Sequence, residues 1–121
     1  MDKNDLSERL FNFAIDVINY LRCIKNYPEI NVVKYQLTKS ATSSGANYEE
    51  AQGASSKSDF LNKVRISLKE MRESNYWLRI LYRIEIINPQ LNTKLLDESE
   101  ELKKILGAIT SKIGKQRDST K

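Results

Sequence analysis

LTKSATSSGANYEEAQGASSKSDFLNKVRISLKEMRESNYWL, residues 37–78, is the stretch that decides the fold. It reads as the end of a helix rich in small residues, a short serine-rich break, and a long helix with a basic stripe. The first of these helices is expected over 31–52. Val33 and Leu37 open an ordinary apolar seam, and Ser40, Ala41, Ser44 and Gly45 then replace large side chains with small ones. Small residues let helix backbones approach closely but bury little apolar area. A glycine inside a helix costs about 1 kcal/mol relative to alanine, so Gly45 calls for a packing reason or a local kink. Gly53 suits a helix stop. Ser56 with Asp59 three residues on has the form of a capping box, and the next helix is expected over 57–87. Its inward seam reads Leu61, Val64, Leu68, Met71, Asn75, Leu78 and Tyr82. Trp77, Ile80, Leu81, Ile84 and Ile87 lie off that seam, so the second half is apolar nearly all round. A helix of that kind is buried on more than one side, and in so small a protein a second subunit is the simplest cover.

Working outward, a first helix is expected over 5–24. Leu6, Leu10, Phe13, Val17, Tyr20 and Ile24 take alternating four- and three-residue steps, with Phe11, Ala14, Ile18 and Leu21 beside them. Pro28 is expected to break the chain after it. A fourth helix is expected over 91–113, its face marked by Leu91, Leu95, Leu102, Ile105 or Leu106, Ile109 and Ile113, with DESEELKK as a solvated charged stretch. No strand pairs and no repeats are visible. Short breaks favour antiparallel neighbours, so the fold class is all-α: an antiparallel up-down-up-down four-helix bundle over 1–114 with a flexible tail over 115–121.

Composition closes off much chemistry. The 121 residues fit one domain. The chain has no histidine and one cysteine. Histidine-based nucleophilic catalysis, haem ligation, the usual zinc sites and the Glu-x-x-His di-iron bundle are therefore excluded, and no cofactor or metal is expected. Cys23 reads as a small core or near-core residue. No apolar run is long enough to span a bilayer, and MDKNDLSERL is too polar and acidic for a signal peptide, so the expected location is the cytoplasm and no membrane contact is expected. With 20 basic and 16 acidic side chains the formal charge is +4, which permits an acidic partner without requiring one.

Two sets of residues could carry function. Arg65, Lys69, Arg72, Arg79 and Arg83, with Tyr76 in the gap, make one basic helical stripe holding an aromatic ring. Cations neutralise phosphates and a ring can stack on an unpaired base, so these six are the candidate nucleic-acid contacts. The bland reading is a solvated face partly paired with Glu70, Glu73 and Glu85, or intersubunit ion pairs. Asn47, Glu50, Asp59, Lys63 and Glu70 form a polar set about the second break. Paired carboxylates can do acid–base work, but this spacing matches no metal loop, and helix capping and pairing are the expected roles. No catalytic residue is assigned. SATSSGAN lacks the Gly-Lys-Ser/Thr end of a phosphate loop.

The order of pieces resembles the 23S rRNA intervening-sequence protein family, also called the four-helix bundle protein family, over nearly the whole chain. The resemblance rests on Gln36-Leu37, Ser40-Ala41-Thr42-Ser43, Ala46-Asn47, Glu50-Ala51-Gln52-Gly53, Ser56 to Phe60, Leu68-Lys69-Glu70 and Trp77-Leu78. Tyr48 and Glu49 depart from the more usual apolar and Ala-like positions. The resemblance implies a left-handed four-helix bundle, a homopentamer, and no known enzyme activity. Some members are encoded within ribosomal RNA gene insertions, and a related group of accessory proteins to retroelement reverse transcriptases is thought to bind nucleic acid. The expectation is a non-enzymatic homo-oligomer, joined through the first and third helices, that binds RNA or a nucleic-acid-handling protein. A scaffold that binds no nucleic acid and an enzyme built on Asn47, Glu50 and Lys63 are the other readings.

Overall fold

The structure is a computed structural model that describes residues 3–86 and 88–119, with side chains for 5–86 and 88–114. It contains α1 (Lys3–Arg22), α2 (Pro28–Gln52), α3 (Lys57–Arg83) and α4 (Pro89–Ser119). No strand occurs among the described residues.

Local chemistry sets the helix ends. Pro28 does not merely end what precedes it: it sits in the first turn of α2, after an extended Tyr27 with φ −137° and ψ 151°. There the missing N–H costs nothing and the fixed φ is already helical. Ser56 caps α3 by accepting from the Asp59 backbone N–H at 3.0 Å, and the Ser55 N–H donates to the Asp59 carboxylate at 3.3 Å. The long helix stops at Arg83 rather than continuing to 87, because Glu85 takes a positive φ of 51° and turns the chain. Ile87 lies outside the described residues. Pro89 opens α4, where the Asn88 side chain accepts from the Gln90 N–H at 2.9 Å. α4 is helical through Ser119, beyond the expected end at Ile113. Of the segment read as a flexible tail, the side chains of 115–121 and the backbone of 120–121 lie outside the described residues.

Each helix packs on its two neighbours in a ring, and neither diagonal pair touches. Paired residues run in opposite order along all four contacts. On α1 and α2, Leu10 lies against Gly45 while Lys34 Nζ donates to the Ile24 carbonyl. On α2 and α3, Ser40 meets Ser74 and Ser44 meets Ser67. On α3 and α4, Asn75 reaches Ser99 and Asn92 reaches the Leu78 carbonyl. On α4 and α1, Asn92 reaches the Tyr20 hydroxyl and Glu98 reaches Arg9. Neighbouring helices are therefore antiparallel.

The core follows the expected seam on α1: Leu6, Leu10, Phe13, Val17, Tyr20 and Ile24 are all buried. Burial of each large apolar side chain contributes about 1.5–3 kcal/mol. Elsewhere the sequence reading misplaces several side chains. On α3 the inward seam passes from Leu78 to Leu81, leaving Tyr82 exposed and Leu68 only partly buried. An α-helix drifts against a strict seven-residue repeat, and the drift favours the leucine. On α4 the inward positions are Asn92, Leu95, Ser99, Leu102 and Leu106, while Leu91 is exposed. Asn92 displaces Leu91 because its amide donates to Tyr20 Oη at 2.9 Å and to the Leu78 carbonyl at 3.1 Å, joining three helices. Ser99 sits buried inside a stretch that reads as wholly solvated. Phe11 is exposed, and so is Cys23, which is no core residue: just past the end of α1, its thiol donates to the Asn19 carbonyl at 3.5 Å.

The small residues of α2 have a definite job. Ser44 Oγ donates to the Ser67 carbonyl at 2.8 Å, and Ser67 Oγ donates back to the Ser44 carbonyl at 2.7 Å. Ser40 Oγ lies 2.8 Å from Ser74 Oγ. All four serines are buried. A side chain as short as serine reaches across to another helix's carbonyl only when the two backbones are close, so α2 and α3 are zipped by hydroxyl–carbonyl bonds in place of apolar bulk. Gly45 faces α1 instead. A Cβ there would sit 3.5 Å from Leu10 Cβ and 3.5 Å from its carbonyl oxygen, which is ordinary contact.

Replacement of Ser67 by Leu is expected to lower the unfolding free energy by at least about 1–3 kcal/mol through overpacking. Gly45→Ala is expected to raise it by up to about 1 kcal/mol through helix propensity. Urea unfolding of both variants checks the contrast.

Candidate nucleic-acid interface

The rotation of α3 is set by its Ser67 and Ser74, which bond to α2, by its Asn75, which bonds to α4, and by its buried apolar seam, and this decides where the basic stripe faces. Arg65, Lys69, Arg72, Arg79 and Arg83 are all exposed, with the Tyr76 ring half-exposed among them. The stripe lies on the α4 side of α3. Asn75 Nδ2 donates to Ser99 Oγ and to Glu100 Oε1, both at 2.9 Å, and Asn75 Oδ1 accepts from Arg79 Nε at 3.0 Å. At the other end, a Cβ placed on Gly114 of α4 would be 4.0 Å from the Arg65 guanidinium.

Among the described residues, none of these five cations is ion-paired with a carboxylate. The ion pairs present are Arg9 with Glu98 and Glu101, Lys63 with Glu50, and Lys103 with Glu100. The nearby acids are engaged otherwise. Glu73 accepts from Trp77 Nε1 at 3.3 Å. Glu100 is held below its ordinary pKa, first by its hydrogen bond with Lys103, with the Asn75 amide adding to it. The stripe therefore presents five exposed cations with no salt-bridged carboxylate among the described residues.

One end of the stripe is more than a row of charges. The Tyr76 and Trp77 rings meet edge to face with centroids 5.0 Å apart, and the Arg79 guanidinium stands 5.8 Å from the Tyr76 centroid. Tyr76, Arg79, Ile80, Arg83 and Ile84 line a hollow of about 260 Å³.

The second candidate set does not converge. Asn47 donates within its own helix, to the Ser43 carbonyl at 2.9 Å and to Ser43 Oγ at 3.1 Å. Glu50 and Lys63 pair at 3.3 Å across α2 and α3. Asp59 serves the α3 cap. Glu70 is partly buried farther along α3. These are separate ties rather than one pocket, and among the described residues no three Cys, Asp or Glu side chains gather as metal ligands.

A feature that sequence reasoning missed lies between α1 and α4: a cleft of about 600 Å³, floored by Phe13, Tyr20 and Leu95 and rimmed by Asp16, Asp97 and Glu98. Arg9 closes one end, donating to Glu98 from Nε at 3.0 Å and from Nη2 at 2.5 Å, with its pKa raised first by that bond. The only sequence signal was acids on two helices whose pairing was not foreseen. Glu101 and Lys94 also line the cleft, and Arg9 pairs with Glu98 and Glu101, so carboxylates outnumber cations there. Among the described residues, no helix is long and apolar enough to cross a membrane.

Comparison with known proteins agrees with this architecture. The family model described as 23S rRNA-intervening sequence protein matches residues 2–108. A crystal structure of a protein of unknown function from the S23 ribosomal protein family of Bacteroides thetaiotaomicron is similar, with a TM-score of 0.80 and 35% identity over 87% of this chain and 97% of that one. No curated protein matches the chain.

Glu70 gives a pH signature. Burial, then the neighbouring Glu73, raises its carboxyl above the ordinary value against the pull of Lys69 and Lys39. Such a group holds its proton more tightly in the folded state. Its contribution to stability is thus fullest below the ordinary value and declines as pH rises through the folded one. Glu70→Gln is expected to be more stable than the parent near neutral pH and to match it in acid well below the carboxylate range. Urea midpoints at the two pH values check this.

Proposed function

The chain belongs to the 23S rRNA-intervening sequence protein family, and from that premise we propose that it is a non-enzymatic, homo-oligomeric RNA-binding bundle whose α3 stripe neutralises phosphates. The observation that carries this reading is the set of five exposed cations, Arg65, Lys69, Arg72, Arg79 and Arg83, without a carboxylate partner among the described residues. Releasing counterions from a polyanion gives such a row its binding energy. In water alone the cations repel one another and gain nothing. The family's name ties it to insertions in 23S ribosomal RNA, so structured RNA, met in the cytoplasm, is the first polymer to test.

The oligomer, a pentamer on the family resemblance, is supported by apolar side chains left in water. Phe11 and Ile15 on α1, Val32 and Tyr35 on α2, and Ile66 on α3 are all exposed. Exposed apolar groups in this number on a small protein suit contact with further copies of the chain. The absence of histidine supports a role without catalysis.

Binding of labelled structured RNA across a salt series tests the proposal. Affinity is expected to fall linearly on a log–log plot, and Arg72→Ala is expected to lower the slope by about one and to weaken binding of different sequences alike. An intact oligomer with no binding at low salt would leave a protein-interaction scaffold as the account.

A further inference from the structure

The hollow at the end of the stripe bears on which nucleic acid is bound, an inference that rests on the phosphate-binding reading above. A row of helical cations alone does not distinguish a duplex from an unpaired strand, since both present phosphates. The α3 stripe is not uniform, however. From Arg65 to Arg72 it offers only charge. From Tyr76 to Ile84 it offers an aromatic ring, two aliphatic side chains and two guanidinium groups around one depression of about 260 Å³.

We propose that the hollow lined by Tyr76, Arg79, Ile80, Arg83 and Ile84 accepts one unpaired base, so that the chain prefers single-stranded or looped RNA over continuous duplex. The pieces match the two halves of a nucleotide. The base needs a π-face and an apolar bed, supplied by the half-exposed Tyr76 ring and by Ile80 and Ile84. The flanking phosphates need cations, supplied by Arg79 and Arg83. The volume lies below the roughly 300–1,000 Å³ of whole small-molecule pockets, which suits a single planar ring. Base stacking on an aromatic side chain is sequence-tolerant and requires an unstacked base, and a continuous A-form duplex keeps its bases stacked and out of reach.

The wall of the hollow is also held in place. Arg79 is tied through Nε to Asn75 Oδ1, and Asn75 is itself held by Ser99 and Glu100 of α4. The Arg79 guanidinium stands by Tyr76, whose ring is braced edge to face by Trp77. A pre-positioned ring and cation lose less freedom on binding than mobile ones. Elsewhere, the larger α1–α4 cleft is lined by Asp16, Asp97, Glu98 and Glu101 against Lys94, a poorer setting for a phosphate-bearing ligand.

The experiment compares a short fluorescein-labelled oligouridine with a blunt RNA duplex of equal length, by anisotropy at matched salt. Oligouridine is expected to bind more tightly. Tyr76→Ala is expected to weaken it roughly five- to a hundredfold, with the salt slope and the duplex affinity unchanged, while Tyr76→Phe keeps the ring and the affinity. Helix content by circular dichroism confirms that the variants fold. If Tyr76→Ala leaves oligouridine binding unchanged, or the duplex binds as tightly as the strand, the base hollow is wrong. The phosphate reading then still stands provided Arg72→Ala lowers the salt slope. If neither RNA binds at low salt, both readings fall together.

Discussion

The reciprocal serine bonds between α2 and α3 are the constraint on which the remainder of the molecule depends. Ser44 and Ser67 exchange hydroxyl–carbonyl bonds, and Ser40 meets Ser74 one helical repeat away. Together with the buried Leu61, Val64, Met71 and Leu78, these contacts fix which face α3 turns inward. With Ser67 and Ser74 turned inward, the positions carrying Arg65, Lys69, Arg72, Tyr76, Arg79 and Arg83 must turn toward solvent on the α4 side. The stripe's exposure thus follows from the packing of the opposite face of α3 and from the cost of burying unpaired charge. A zipper of small side chains buries little apolar surface where α2 crosses α3, so hydrophobic stabilisation comes from the α1 seam and from Leu61, Val64, Met71, Leu78 and Leu81 on the rest of α3, while several large apolar residues stay outside.

Charge is partitioned along the bundle by a second group of polar ties. Asn92 joins α4 to α1 and α3, Asn75 joins α3 to α4, and Arg9 clamps α1 to α4 through Glu98. Buried amide donors that find partners specify register, because a slip would leave them unsatisfied at a cost of about 1–3 kcal/mol each. Asn92 donates twice through Nδ2, while its buried Oδ1 has no protein partner among the described residues. With the register fixed, acids gather along the α1–α4 cleft and cations along α3. The modest formal charge of +4 thus hides an uneven spread of charge over the surface.

How much of this was legible in the sequence depends on side-chain size. The α1 seam, six apolar residues at bundle spacing, marked its buried face directly, and the number and order of helices followed from the two prolines and from the break between Gly53 and Ser56. The basic stripe was legible because charges at helical spacing share a face wherever the helix sits. Serine and asparagine were not legible in the same way. Ser67, Ser74, Ser99 and Asn92 are inward-facing, yet they look like solvent residues until the partner carbonyl or hydroxyl on another helix is known. That is why Leu91 and Tyr82 read as core and are exposed. Pro28 read as a break when it opens a helix, since its ring suits both roles. The α1–α4 cleft arises from residues far apart in the chain, and no local pattern announces it.

The central claim is that the α3 cations contribute to binding and not to holding the bundle together. The most direct measurement is to replace Arg65, Arg72 and Arg83 together with alanine, then record unfolding free energy, assembly mass and RNA affinity on one preparation. Exposed, unpaired side chains predict a change in stability within about 1.5 kcal/mol for the three together, an unchanged oligomer, and RNA binding lost at moderate salt. A variant that unfolds or dissociates, or one that binds RNA as well as the parent, would contradict the account.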